Sequence, residues 1–207
     1  MDKQTKKWSS QFGEKYTDNN SWPLEEYNEL FKVWHGKTRL EFNESFIGDL
    51  DKNMSVLEVG CNRANQLNLL QQMGFNNLHG IELNEYALNQ ALERTKNIEI
   101  KQGTAFNIPY EDEKFDMVFT SGVLIHISSD NIQKAISEIH RCSKKYIWGY
   151  ENYSDKYEMV MDGYLWRTNF FQLYLDTFSD LKLIKKEIFS WKGGKSMFSM
   201  FLLEKLS

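Results

Sequence analysis

From Met54 onward, short runs of apolar and β-branched residues alternate with longer stretches whose apolar positions recur at helical spacing. Val56-Leu57-Glu58-Val59-Gly60 opens the series as a strand, and a helix is expected over 66–73. The same patterning predicts strands at 78–82, 98–101, 115–120 and 146–150, with helices between them at about 85–95 and 130–141. Leu88, Ala91 and Leu92 on one helix, and Ile132, Ala135, Ile136 and Ile139 on the other, give each a single apolar face to lay on a sheet. Asp130 stands where it can cap the second. Such alternation builds βαβ units and a parallel sheet. Towards the end, 182–190 and 197–204 read as strands on either side of Trp191-Lys192-Gly193-Gly194-Lys195, whose glycine pair signals a hairpin turn. The expected architecture is α/β, a doubly wound and mostly parallel seven-stranded sheet that ends in an antiparallel hairpin.

Ahead of the first strand lies an aromatic, helix-prone segment with Trp8, Phe12, Tyr16, Trp22, Tyr27, Phe31, Trp34, Phe42 and Phe46, which needs something to cover. We expect residues 1–50 to form an N-terminal helical cap on a core at 51–207, one domain overall, because no repeat, low-complexity tract or Pro/Gly/Ser linker interrupts the chain. The 207 residues are enough for one sizeable core and too few for two. Apolar stretches such as Met197–Leu203 fall far short of the ~20 residues that span a bilayer, and the polar N-terminus carries no secretory pattern, so a cytoplasmic protein is expected. Two distant cysteines, Cys61 and Cys142, give neither a disulfide framework nor a zinc site. With 25 Lys+Arg interspersed among 29 Asp+Glu, no basic stripe offers itself to nucleic acid.

In an open parallel sheet, ligands sit at the carboxyl ends of the strands, and the first strand should end in a turn whose glycine admits close approach. Gly60 in Glu58-Val59-Gly60-Cys61-Asn62-Arg63-Ala64 holds that place. Glu82 ends the second strand 22 residues later, where a carboxylate can accept hydrogen bonds from both hydroxyls of a ribose. The loop reads Gly-x-Asn-x-Ala in place of Gly-x-Gly-x-Gly.

Together, Glu58–Ala64, Glu82, Gly103-Thr104-Ala105 and the run Phe115–His126 resemble the ordered motifs of class I S-adenosylmethionine-dependent methyltransferases, which have a Rossmann-like fold. More narrowly, Phe12–Asn20, Gly122–Ile127 and Leu165–Phe170 resemble the methylases associated with pseudaminic acid biosynthesis. The resemblance implies S-adenosylmethionine as cofactor, with Glu58 and Gly60 towards its methionine part, Glu82 at the ribose, Thr104 and Ala105 near the adenine, Ser121 and Gly122 beside the sulfonium, and Asn62, Leu83 and Tyr16 also among its contacts. Asn62 and Ala64 depart from the family's glycines, and Thr104 from its frequent acid.

For methyl transfer, an enzyme must align an acceptor lone pair and exclude water, and an amine or hydroxyl acceptor must also lose a proton. His126 is the candidate base, with a packing histidine as the alternative. Tyr16 and Trp22 are candidates for a lid over the cofactor or for plain core. Glu151 and Tyr153, after the fifth strand, and Trp166 and Arg167, on an insertion before the hairpin, are candidate substrate contacts, with Arg167 placed to clamp an anionic group. The expected function is methylation of a small-molecule acceptor, a sugar or nucleotide-linked sugar of a surface-glycan pathway. The alternatives are another metabolite, a protein side chain, or a non-catalytic binding module.

Overall fold

The computed structural model describes residues 3–161, 164–192, 194 and 196–206. Its contacts divide the chain into two units, Met1–Thr104 and Ala105–Ser207. Among the described residues the fold is α/β, with a seven-stranded, mostly parallel sheet and an antiparallel hairpin, as expected.

The first unit opens with four helices, α1 (Lys3–Trp8), α2 (Gln11–Asn19), α3 (Leu24–His35) and α4 (Arg39–Ile47). Local chemistry sets their ends. The Ser10 hydroxyl caps α2 by accepting from the N–H of Phe12, and Gly36 closes α3 in the left-handed conformation at φ +90°. Thr38 and Glu41 form a reciprocal capping box on α4, satisfying two otherwise orphaned N–H groups. Then follow β1 (Ser55–Val59), α5 (Asn65–Gln72), β2 (Asn77–Glu82), α6 (Glu85–Arg94) and β3 (Ile98–Gln102). Both β1–β2 and β2–β3 are parallel, with Glu58 opposite Gly80 and Glu82 opposite Gln102. Val56, Leu57, Glu58 and Val59 are all buried, as a parallel strand covered on both faces requires.

The second unit contains β4 (Phe115–Ser121), a 3-10 turn at Leu124–His126, α7 (Ile132–Cys142), β5 (Ser143–Tyr153), β6 (Glu158–Met161), β7 (Leu165–Arg167), α8 (Phe170–Thr177), β8 (Leu181–Ser190) and β9 (Met197–Lys205). Its share of the sheet runs β4-β5-β9-β8, with β4–β5 parallel and the β5–β9 and β8–β9 pairs antiparallel. Ile132, Ala135, Ile136 and Ile139 are buried, so the periodicity picked the inward face of α7. Asp130 does not cap that helix: Asn131 occupies the cap position without a side-chain bond, and the N–H of Ile132 reaches the carbonyl of Ser128 at 2.9 Å. The small β6–β7 hairpin and α8, capped by Asn169 accepting from Gln172 N–H at 3.1 Å, are additions to the expected elements. In the expected Gly193-Gly194 turn, Gly193 and Lys195 lie outside the described residues, while Trp191 N–H bonds the carbonyl of Ser196 across it at 3.1 Å. Among the described residues no helix is long and apolar enough to cross a membrane.

Candidate functional site

At the carboxyl end of β1 the chain turns sharply. Gly60 (φ +74°), Asn62 (φ +46°) and Ala64 (φ +59°) are all left-handed, so the two positions where the resembled family carries glycines keep the glycine-like backbone without the glycine. Gly60 and Cys61 donate to the Ile81 carbonyl at 2.9 and 3.0 Å, pinning the turn to the end of β2. There Glu82 Oε2 accepts from the N–H of Asn62 and Oε1 from that of Asn84, both at 2.8 Å. Desolvation raises the Glu82 pKa, and the donors from Asn84, Asn62 and Leu83 oppose that rise.

Glu58 lies under the same turn, 3% exposed. Burial pushes its carboxyl well above the usual range, opposed by the Arg39 guanidinium and reinforced by Glu82. Arg39, an α4 residue that sequence reasoning passed over, is wholly buried; its Nε donates to Gln66 Oε1 at 3.1 Å, and Gln66 Nε2 donates to Asn43 Oδ1 at 2.9 Å. Glu58 Oε2 and Asn62 Oδ1 are buried with no hydrogen-bond partner among the described residues. Both oxygens can accept hydrogen bonds. They suit a ligand that brings donors, and S-adenosylmethionine carries an ammonium group and ribose hydroxyls.

The structure thus gathers Glu58, Gly60, Asn62, Glu82 and Leu83 at one end of β1 and β2, with Thr104 just after β3. The half-buried Tyr16 packs edge-on against Trp8, 5.1 Å between centroids, while Trp22 is 37% exposed. Asn84 joins this segment to the turn. Its Oδ1 caps α6, accepting from Tyr86 and Ala87 N–H, and its Nδ2 donates to the carbonyls of Trp8 at 2.9 Å and Ser10 at 3.3 Å.

In the second unit Ser121 ends β4 and Gly122 follows at φ +70°, its N–H on the Tyr150 carbonyl at 2.8 Å. Ala105 begins this unit. His126 Nδ1 lies 2.9 Å from the Tyr164 carbonyl oxygen. A carbonyl only accepts, so Nδ1 carries the hydrogen and the lone pair of the neutral ring is on Nε2.

Of the expected substrate contacts, Glu151 is corrected. It is 0% exposed and its oxygens accept from the N–H groups of Val123 and Ile125, each at 3.2 Å, so it is spent on backbone within the fold. Trp166 is 9% exposed and presents little surface, and Arg167 Nε is engaged by Glu158 Oε1 at 2.9 Å across the β6–β7 hairpin. Tyr153 donates its hydroxyl to Asp155 at 2.6 Å.

Comparison with known proteins bears on this geometry. Residues 57–146 match the family described as a methyltransferase domain. Over that stretch, 90 of its 207 residues, the chain is similar to a methyltransferase domain. A protein of Haemophilus influenzae, itself uncharacterized, is 31% identical over 104 residues; the match covers 47% of this chain and 41% of that relative, so this chain spans under half of its length. Among solved structures, a SAM-dependent methyltransferase from Aquifex aeolicus superposes with a TM-score of 0.67 at 18% identity, covering 91% of this chain and 97% of its own. Geranyl diphosphate C-methyltransferase from Streptomyces coelicolor, solved with S-adenosyl-L-homocysteine, gives 0.66 at 9% identity, covering 81% and 77%. At such identities the two structures establish a shared fold.

Proposed function

We propose that the protein transfers the methyl group of S-adenosylmethionine to a small-molecule acceptor, a sugar or nucleotide-linked sugar of a surface-glycan pathway. The observation that carries the donor half is the pair of buried acceptors without donors, Glu58 Oε2 and Asn62 Oδ1, beside the left-handed Gly60 turn. The acceptor half rests on the likeness of Phe12–Asn20, Gly122–Ile127 and Leu165–Phe170 to methylases associated with pseudaminic acid.

When bound, the cofactor supplies a methyl group already activated by a sulfonium. Glu82 keeps a second lone pair on each oxygen and accepts from the ribose hydroxyls, with Leu83 against the sugar; Glu58 and Asn62 take donors of the methionine part. Gly60 lets the turn come close, Tyr16 closes the helical side, Thr104 and Ala105 border the adenine, and Ser121 and Gly122 the sulfonium. His126 Nε2 takes the acceptor's proton, held in that tautomer by Nδ1–H on the Tyr164 carbonyl. Tyr153, Trp166 and Arg167 border the acceptor, with the terminal guanidinium nitrogens of Arg167 directed to an anionic group while Nε stays on Glu158.

Two measurements test the two halves. S-adenosylhomocysteine should bind by calorimetry, and Glu82→Ala should weaken it by about 1.5–3 kcal/mol, the worth of hydrogen bonds to a charged acceptor. Unchanged affinity in a folded variant overturns the ribose role. Labelled methyl transfer to a panel of nucleotide sugars should single out an acceptor. Turnover confined to non-sugar metabolites or proteins, or binding without any turnover, overturns the acceptor class.

A further inference from the structure

The second unit contains a buried polar cluster that the proposed transfer does not use directly. At its centre is Glu151 of β5, 0% exposed. Its carboxylate accepts from the N–H of Val123 through Oε1 and of Ile125 through Oε2, so one side chain spans the first turn of the segment that carries His126. The Thr120 hydroxyl of β4 also donates to it. Ser199 of β9 stands opposite Glu151 in the antiparallel register, on the same face of the sheet. The hydroxyls of Ser199 and of Tyr174 on α8 are buried with no hydrogen-bond partner among the described residues. Tyr157 closes the far side, donating its hydroxyl to the Ile127 carbonyl at 2.8 Å.

The segment 122–127 is therefore tied at both ends, Gly122 to the Tyr150 carbonyl and Ile127 to Tyr157, and its middle hangs on one carboxylate. A 3-10 turn leaves its first N–H groups without carbonyl partners, and buried N–H groups must find an acceptor. We propose that Glu151 is a positioning residue for the candidate base: by holding the N–H groups of Val123 and Ile125 it sets the backbone from which the His126 imidazole projects, and so keeps Nδ1–H on the Tyr164 carbonyl and Nε2 turned to the acceptor. The inference rests on the reading of His126 as the base.

Beside His126 in the segment itself, the elements packed on β5 carry Asp116 on β4, Tyr157 ahead of β6, Arg167 on β7, Tyr174 and Asp176 on α8, and Glu204 and Lys205 on β9, with Tyr150 and Tyr153 on β5 itself; burial first, then Glu151, raises Tyr157 and Tyr174. Burial also holds the Glu151 carboxyl up, to about 7, against the donors from Thr120, Val123, Leu124 and Ile125. Near neutrality it therefore exchanges between a full acceptor and a carboxyl with one O–H, and both amide bonds should weaken together on protonation.

Nuclear magnetic resonance of the whole labelled protein tests this without an acceptor. The amide protons of Val123 and Ile125 should titrate together, with the same midpoint as the Glu151 carboxyl carbon, and the His126 ring nitrogens should report the Nδ1–H tautomer. In Glu151→Gln the common step should vanish, exchange of one or both amides should quicken at least tenfold, and the His126 tautomer signal should lose its wild-type preference. S-adenosylhomocysteine affinity should stay within about threefold. Amides that titrate independently of Glu151, or a variant with wild-type exchange and tautomer, overturn the proposal. If Glu151→Gln does not fold, the wild-type titration still decides. Absent cofactor binding would count against the methyltransferase reading alone, because the resonances of this segment need no ligand.

Discussion

Glu151 also governs how stability should depend on pH. A carboxyl whose pKa is raised by folding, here from an ordinary 4.5 to about 7, stabilises the native state while protonated. That contribution is complete below pH 4.5 and is lost as pH rises through 7. The span corresponds to about 3 kcal/mol. Glutamine cannot ionise, so unfolding in urea at pH 4 and at pH 8.5 should show Glu151→Gln gaining on wild type by up to that amount across the interval; a constant difference would mean that the carboxyl does not titrate there. Glu58 and Glu82 are raised in the same direction, and comparison of variant with wild type removes them from the result. Glu82 was legible from its spacing after Gly60, but its hold on the Asn62 and Asn84 N–H groups was not, since that needs the turn folded back over β2.

At the scale of elements, Asn84 is the joint between the N-terminal helices and the βα turn. One side chain caps α6 and ties down the carbonyls of Trp8 and Ser10, and α2 can come this near only because Gly13 lacks a Cβ, which would collide with the Trp8 carbonyl and Asn84 Nδ2. A cap alone contributes about 1 kcal/mol, and each further hydrogen bond about 0.5–1.5 kcal/mol. Asn84→Ala should therefore lose about 2–4 kcal/mol by denaturant titration, and trypsin should cut sooner at Lys6, Lys7 and Lys15. A loss no greater than a plain cap, with unchanged cleavage, would show that the joint does not hold the helices. The capping box on α4 joins Thr38 and Glu41, only three residues apart. The β6–β7 hairpin escaped because its strands are short, with Met159, Val160 and Met161 exposed and no alternation to read.

For the molecule as a whole, a bound cofactor adds to stability by mass action. S-adenosylhomocysteine at a hundredfold excess over its dissociation constant should contribute about 2.7 kcal/mol, raising Tm by roughly 5–10 °C for a chain of this size. Gly60→Val should abolish the shift, because a β-branched residue resists φ +74° and its side chain fills the space the ligand needs. A full shift in that variant would place the ligand away from the turn. The sequence alone determined the alternation of strands and helices from β1 to β5, the parallel character and final hairpin of the sheet, and the places of Gly60 and Glu82 at strand ends, because periodicity and turn chemistry act over a few neighbouring residues. Tertiary structure decided where the buried polar groups find partners: Arg39 with Gln66, Asn84 with Trp8, and Glu151 with Val123 and Ile125, separated by 27, 76, 28 and 26 residues respectively. A buried polar atom must be satisfied by whichever group the packed fold brings within about 3 Å, and no local pattern in the chain specifies that neighbour. For the same reason Glu151 looked like a substrate contact at a strand end and proved to be the acceptor beneath the His126 segment.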